Sequence, residues 1–225
     1  LPPLYVSAVD SGNLSGHLLT LRVGLLGLVD QKILCTRAFE GLGDAMGNLA
    51  DAATSMATPE ATHSLFRLQR DIESACDVHS TKVVVVRRWL MGIAALCLSL
   101  DHPVDNASKD AAPGELAEWT HALLRQCQST LEDLEFLLPW LALAELPQWL
   151  QHIPGLGAVP ALRDLVALDA ALEHAVEQHF ARNGAEPPTP QETHLLAELR
   201  PLVLLATVRA RERVALIQQL SQQAA

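Results

Sequence analysis

The polar residues nearest the start of the chain, Tyr5, Ser7, Asp10, Ser11 and Asn13, fall where the pattern turns from extended to helical. Tyr5 to Val9 alternates like a short extended piece. Asp10, Ser11 and Asn13 are residue types that cap helices, and an apolar helical spacing follows through Leu14, Leu18, Leu21, Leu25 and Val29. A helix N-terminus presents N–H groups without intrahelical partners, and a carboxylate such as Asp10 accepts two hydrogen bonds at once. Such a corner suits a polyhydroxylated ligand. The simpler alternative is that Asp10 or Ser11 does no more than cap the helix.

Other clusters offer less. Gly41-Leu42-Gly43-Asp44-Ala45-Met46-Gly47 resembles a phosphate loop, but its third glycine is one place late and no strand pattern precedes it. Small residues for close helix packing account for it better. Of the nine histidines, His174 and His179 are five apart and so on different helix faces, and no zinc-ligand spacing occurs; no metal site is expected. Glu132, Asp133 and Glu135 are neighbours on one helix and cannot face each other across a cleft as a glycosidase pair must. Trp140 and Trp149 could stack on a sugar face, but their Leu- and Pro-rich surroundings favour packing. Cys35, Cys76, Cys97 and Cys127 form no C-x-x-C pair and read as reduced core thiols, which implies a reducing compartment.

The elements that must position these residues are helical. Apolar residues make up 49% of the 225 positions, with much Leu and Ala and only one Tyr and four Phe. This composition favours helix over strand. The chain carries 16 basic and 26 acidic residues, a formal net charge of -10, and no basic stripe, which argues against nucleic acid as a partner. The longest apolar stretch, Val83 to Leu100, contains Arg87 and Arg88 and reads as a buried helix, not a membrane span. No signal-peptide pattern follows Leu1, so an internal piece of a longer polypeptide is expected.

Further helices are expected over Arg37–Ala53, from Thr58-Pro59 to about Cys76, and over Lys82–Leu100, where four consecutive valines could also suit a strand. Asp101 to Gly114 reads as an exposed loop. Glu115–Leu138 is amphipathic through Leu116, Trp119, Leu123, Cys127, Leu131, Leu134 and Leu138, and Pro139 interrupts it. Short turns are expected over Pro139–Pro160, then a helix over Arg163–Arg182 stopped by Asn183-Gly184. Thr189-Pro190-Gln191-Glu192 is a capping box opening a last helix toward Leu220, with a kink or restart at Pro201. The fold class expected is all-α.

The run Pro2-Pro3-Leu4-Tyr5-Val6-Ser7-Ala8-Val9-Asp10-Ser11-Gly12-Asn13-Leu14-Ser15-Gly16-His17-Leu18 resembles a motif of the cyclic β-1,2-glucan synthases of Gram-negative bacteria. That motif reads much like P-P-x-Y-V-S-T-V-D-S-G-N-L-A-G-H-L. This chain departs from it at Ala8, where the family tends to have a hydroxyl, and at Ser15, where it tends to have Ala. The resemblance is sharp over this run and one of general character beyond it, including Leu138-Pro139-Trp140-Leu141.

The resemblance implies that the chain is part of the middle, glucoamylase-like region of such a synthase, an (α/α)6 helical toroid implicated in transglycosylation that closes the glucan ring. Residues 1–57 would be a motif-bearing helical hairpin of that toroid. Residues 58–225 would be a helical bundle, either its continuation or an insertion. Twelve helices of about 13 residues with connections of about 6 need roughly 230 residues as a bare minimum, and the pattern shows about eight helical segments, some of them long, so the toroid would be incomplete here. Carried over position by position, Tyr5, Ser7, Asp10, Ser11 and Asn13 are the implied substrate-binding residues; the family's catalytic glutamates have no recognisable counterpart. The implied partners are a β-1,2-glucan oligosaccharide and other domains of the same polypeptide, at the cytoplasmic face of the bacterial inner membrane. No cofactor is implied, and the piece alone would be inactive. The alternative from a different class is a helical scaffold whose apolar faces dock on the rest of the polypeptide.

Overall fold

The computed structural model describes residues 8–54, 63, 66–67, 70, 82–100, 114–143, 146–182 and 188–224. Among them the fold is all-α: helices and short turns, with two isolated antiparallel β-bridges, Lys32 with Ala161 and Lys82 with Ala158, and no strand. The helices are α1 (Ala8–Gly27), α2 (Thr36–Thr54), α3 (Val83–Leu100), α4 (Glu115–Leu137), α5 (Gln148–Gln151), α6 (Leu162–Val166), α7 (Leu168–Arg182) and α8 (Pro190–Gln223), with a 3-10 turn at Pro139–Ala142. The helix expected from Thr58-Pro59 to Cys76 lies outside the described residues except for His63, Phe66, Arg67 and Arg70, which are helical. The boundary expected after residue 57, the loop 101–113 and the stop at Asn183-Gly184 also lie outside them.

The chain divides into two compact units. One comprises Leu34–His152 with Leu156–Val159. Its core is built where α4 packs against α2 and α3. The valine run is helical because Val83, Val86, Leu90, Ile93 and Cys97 recur at three- and four-residue steps and are all buried. One buried stripe of that spacing outweighs the strand preference of valine. Leu123, Cys127, Leu134 and Leu137 answer from α4, and Leu42, Met46 and Leu49 from α2. At the start of α3 the Val83 N–H donates to the Gly157 carbonyl at 3.1 Å. Further along, the Arg87 guanidinium bonds Glu135 at 2.8 Å across the two helices.

The other unit comprises Leu1–Ile33, Ile153–Gly155 and Pro160–Ala225. Here α8 packs against α1, α6 and α7, burying Leu196, Leu199, Val203, Ala206 and Ala210. Its start carries the expected capping box: Thr189 Oγ1 accepts the Glu192 N–H, and the Glu192 carboxylate accepts the Thr189 N–H at 2.9 Å. The restart expected at Pro201 does not occur, since α8 continues through it as one helix. The proline is exposed, and the buried Leu199 and Val203 anchor the turns on either side.

Two expectations about helix ends are corrected. Helix α1 begins at Ala8, so Ala8, Val9 and Asp10 belong to its first turn and not to an extended piece. Ala is a strong helix former, and an acidic residue in the first turn complements the helix dipole. The segment Arg163–Arg182 is two helices, broken at Ala167 with φ −99° and ψ 0°. Arg211 of α8 stabilises the break by donating to the Val166 carbonyl and to Asp169, both at 3.3 Å.

Candidate functional site

The start of α1 is where the polar residues singled out from the sequence meet a helix terminus. Ala8, Val9 and Asp10 are its first-turn residues, whose N–H groups have no carbonyl four residues earlier inside the helix. Asp10 and Ser11 are helical in backbone, their side chains falling outside the described set, and Tyr5 and Ser7 lie outside the described residues altogether. Asn13 is exposed. By helical spacing Asn13 and His17 share one face, and His17 is exposed as well. Donors of the first turn, a carboxylate-bearing residue and a primary amide therefore occupy the first two turns of one helix. This is hydrogen-bonding chemistry, suited to hydroxyl groups. Among the described residues it holds no facing pair of carboxylates.

The rest of α1 is unusually bare. Val9 is 72% and Val23 71% exposed, and Leu14, Leu19, Leu21 and Leu26 are exposed as well. Gly12, Gly16 and Gly24 would each accept a Cβ with no atom within 4 Å. Glycine disfavours a helix by about 1 kcal/mol relative to alanine, so these positions weaken α1 without serving any packing among the described residues.

The remaining candidates resolve individually. Gly41 and Gly43 lie inside α2, which removes any phosphate-loop reading. A Cβ at either would also meet nothing within 4 Å, so close helix packing does not explain them. His174 pairs with Gln178 at 2.7 Å, and His179 lies 3.8 Å from Glu192. Among the described residues no group of three or more His, Cys, Asp or Glu side chains converges to hold a metal ion. Glu135 is committed to Arg87 and Glu173 to Arg200, the latter by two bonds of 2.8 and 2.9 Å. Trp140 is buried at 2% exposure, which excludes it as an open sugar platform, whereas Trp149 is half-buried. Of the four expected core thiols, Cys97 and Cys127 are buried free thiols, Cys76 lies outside the described residues, and Cys35, which precedes α2, is a free thiol exposed to solvent, correcting its expected core position. Burial pushes the Cys97 thiol up to about 11 and that of Cys127 up to about 12.

A feature the residue pattern did not reveal is a cavity of about 30 Å³ lined by Val83, Val84, Trp140, Leu146, Gln151 and Gly157, among others. The Trp140 indole N–H beside it is buried and has no hydrogen-bond partner among the described residues. Leaving such a donor unmet costs roughly 1–3 kcal/mol. Spacing alone could not have placed it, because the cavity joins the start of α3 to two turns far along the chain.

No family model matches this chain, and no solved structure matches it. Among curated proteins it is similar to the cyclic beta-(1,2)-glucan synthase NdvB of Rhizobium meliloti (strain 1021). The two are 25% identical over 198 residues, covering 80% of this chain and 6% of that protein. The chain thus spans a small fraction of the length of the relative it matches. Among the described residues no helix is long and apolar enough to cross a membrane.

Proposed function

We propose that the chain is a piece of a protein related to cyclic β-1,2-glucan synthases and contributes to glucan binding in the region that closes the ring by transglycosylation. The observation that carries this reading is the similarity to NdvB along most of the chain. The opening run quoted above supports it, and so does the helix terminus that this run forms. In this reading Tyr5, Ser7, Asp10, Ser11 and Asn13 contact glucan hydroxyls. The helices form part of an (α/α)6 toroid, and the catalytic carboxylates come from elsewhere in the longer polypeptide. Membrane attachment, at the cytoplasmic face, belongs to that polypeptide too. Isothermal titration with β-1,2-gluco-oligosaccharides tests the reading on a polypeptide extended at both ends. Micromolar to millimolar binding that weakens at least tenfold in Asp10→Ala is expected. No binding, or binding unchanged by that substitution, would sink the role of this corner.

A second reading is favoured by the bare apolar surface of α1. Exposed patches of this kind mark interaction surfaces, and α1 would serve as a docking helix for other domains of the same polypeptide. The isolated chain would then self-associate or bind a hydrophobic dye through α1, and Val23→Lys would abolish both. A monodisperse, dye-silent chain rules this reading out. Glucan binding and docking are compatible.

A further inference from the structure

The buried indole of Trp140 and the small cavity it lines belong to one arrangement. A void enclosed only by apolar groups stays dry, whereas one bordered by unmet polar groups takes up water. This cavity is bordered by Val83, Val84, Leu143, Leu146 and Leu156, but also by Trp140, whose Nε1–H lacks a partner, and by the Gln151 amide. Gln151 Nε2 donates to the Leu146 carbonyl at 2.6 Å, which fixes the amide and leaves its Oε1 as an acceptor. The Leu146 carbonyl retains a second lone pair.

Volume decides what can enter. The cavity measures about 30 Å³. A water molecule needs roughly 10–15 Å³ by the same measure, and a cavity that admits benzene is on the order of 150 Å³. A sugar ring or a hydrocarbon ligand does not fit.

The geometry points to an internal hydration site: one ordered water molecule that accepts the hydrogen bond of Trp140 Nε1–H and donates to Gln151 Oε1 and the Leu146 carbonyl. The water ties the 3-10 turn at Pro139–Ala142 to α5, two short elements with few backbone bonds of their own. Gly157 belongs to the site because a Cβ there would collide with the Gln151 carbonyl and displace the residue that orients the water. This site is independent of the glucan reading.

The test is a water-selective NOE and ROE measurement on the 15N-labelled 225-residue chain, read at the four tryptophan indole protons. The expected result is a water cross-peak at the Trp140 indole proton with the signs of a bound molecule, not of chemical exchange. Trp140→Phe assigns the resonance by its loss; should that variant not fold, through-space connectivities in the parent chain assign it. Gln151→Leu keeps the fold and abolishes the cross-peak. A Trp140 indole proton with no water cross-peak, or with exchange-type signs only, overturns the proposal. A cross-peak unchanged in Gln151→Leu overturns it also.

Discussion

Thr207 Oγ1 of α8 donates to the main-chain carbonyl of Leu165 in α6 at 3.0 Å, and Thr207 is fully buried. The same carbonyl accepts the Ala167 N–H where α6 ends, and the Thr207 hydroxyl adds a second donor from another element. Thr207→Val keeps the shape and removes this donor, leaving the Leu165 carbonyl with the Ala167 N–H alone. It is expected to destabilise the unit containing α8 by about 0.5–1.5 kcal/mol, the net worth of one hydrogen bond. Urea unfolding reads the change, and Thr207→Ser should retain more stability than the valine variant. Equal or greater stability for valine would show that the bond contributes nothing.

Leu90 of α3 stands in the middle of the stripe from Val83 to Cys97 and is 1% exposed. Truncation to alanine removes buried methyl groups and leaves a cavity that α4 can fill only in part. Leu90→Ala should therefore cost about 2–5 kcal/mol, measured as a lowered unfolding midpoint. Met91, its exposed neighbour, serves as the control: Met91→Ala should change stability by less than about 0.5 kcal/mol.

The stripes just described are also what made the fold legible. Regular apolar spacing placed α3 and α4 to within a residue, and side-chain chemistry placed the capping box at Thr189. What stayed illegible depended on partners distant in the chain. The break at Ala167 is matched by Arg211, which no local pattern around Arg163–Arg182 announces. The early start of α1 reflects a contest between a capping aspartate and a helix-forming alanine, which residue types alone leave open. Of the candidate site, the sequence revealed the polar residues and their nearness to a helix terminus. It could not show that most of α1 beyond them is bare. Nor could spacing show that Cys35 is exposed while Cys97 and Cys127 are enclosed.

That difference among the cysteines has a direct readout. With thiols pushed up to about 11 and about 12, Cys97 and Cys127 hold almost no thiolate near neutral pH and have no solvent access. An aromatic disulfide reagent at about pH 8 should modify Cys35 at once. It should reach Cys97 and Cys127 only as the protein unfolds, with a rate that rises with urea. Prompt modification of Cys127 in the folded chain would contradict its burial.

Two classes of glycine should respond in opposite directions. Gly12 and Gly16 lie in α1 with open space where a Cβ would stand, so Gly12→Ala and Gly16→Ala should each stabilise the isolated chain by about 0.5–1 kcal/mol. Gly157→Ala should destabilise it, because the added carbon would meet the Gln151 carbonyl. Thermal unfolding of the three single variants decides the signs. If the alanines in α1 raise stability yet weaken glucan binding, close approach of a ligand or partner is what keeps those glycines.

The pH dependence of the α8 terminus follows from Glu192. Its carboxyl is held below the ordinary value of 4.5 chiefly by the Thr189 backbone N–H, then by the Thr189 hydroxyl, with the nearby His179 adding to the effect. A folded-state value below the unfolded one means a contribution that is present above the unfolded value and lost as pH falls through the folded one. Glutamine at this position can still accept a hydrogen bond but does not titrate. The stability difference between the parent chain and Glu192→Gln should therefore be greatest near about pH 6 and shrink toward about pH 3. Thr189→Ala removes the hydroxyl's bonds and should cost about 1 kcal/mol, as loss of an N-cap does. Parallel urea titrations across that range provide the measurement, and a difference that grows on acidification would reverse the sign assigned to Glu192.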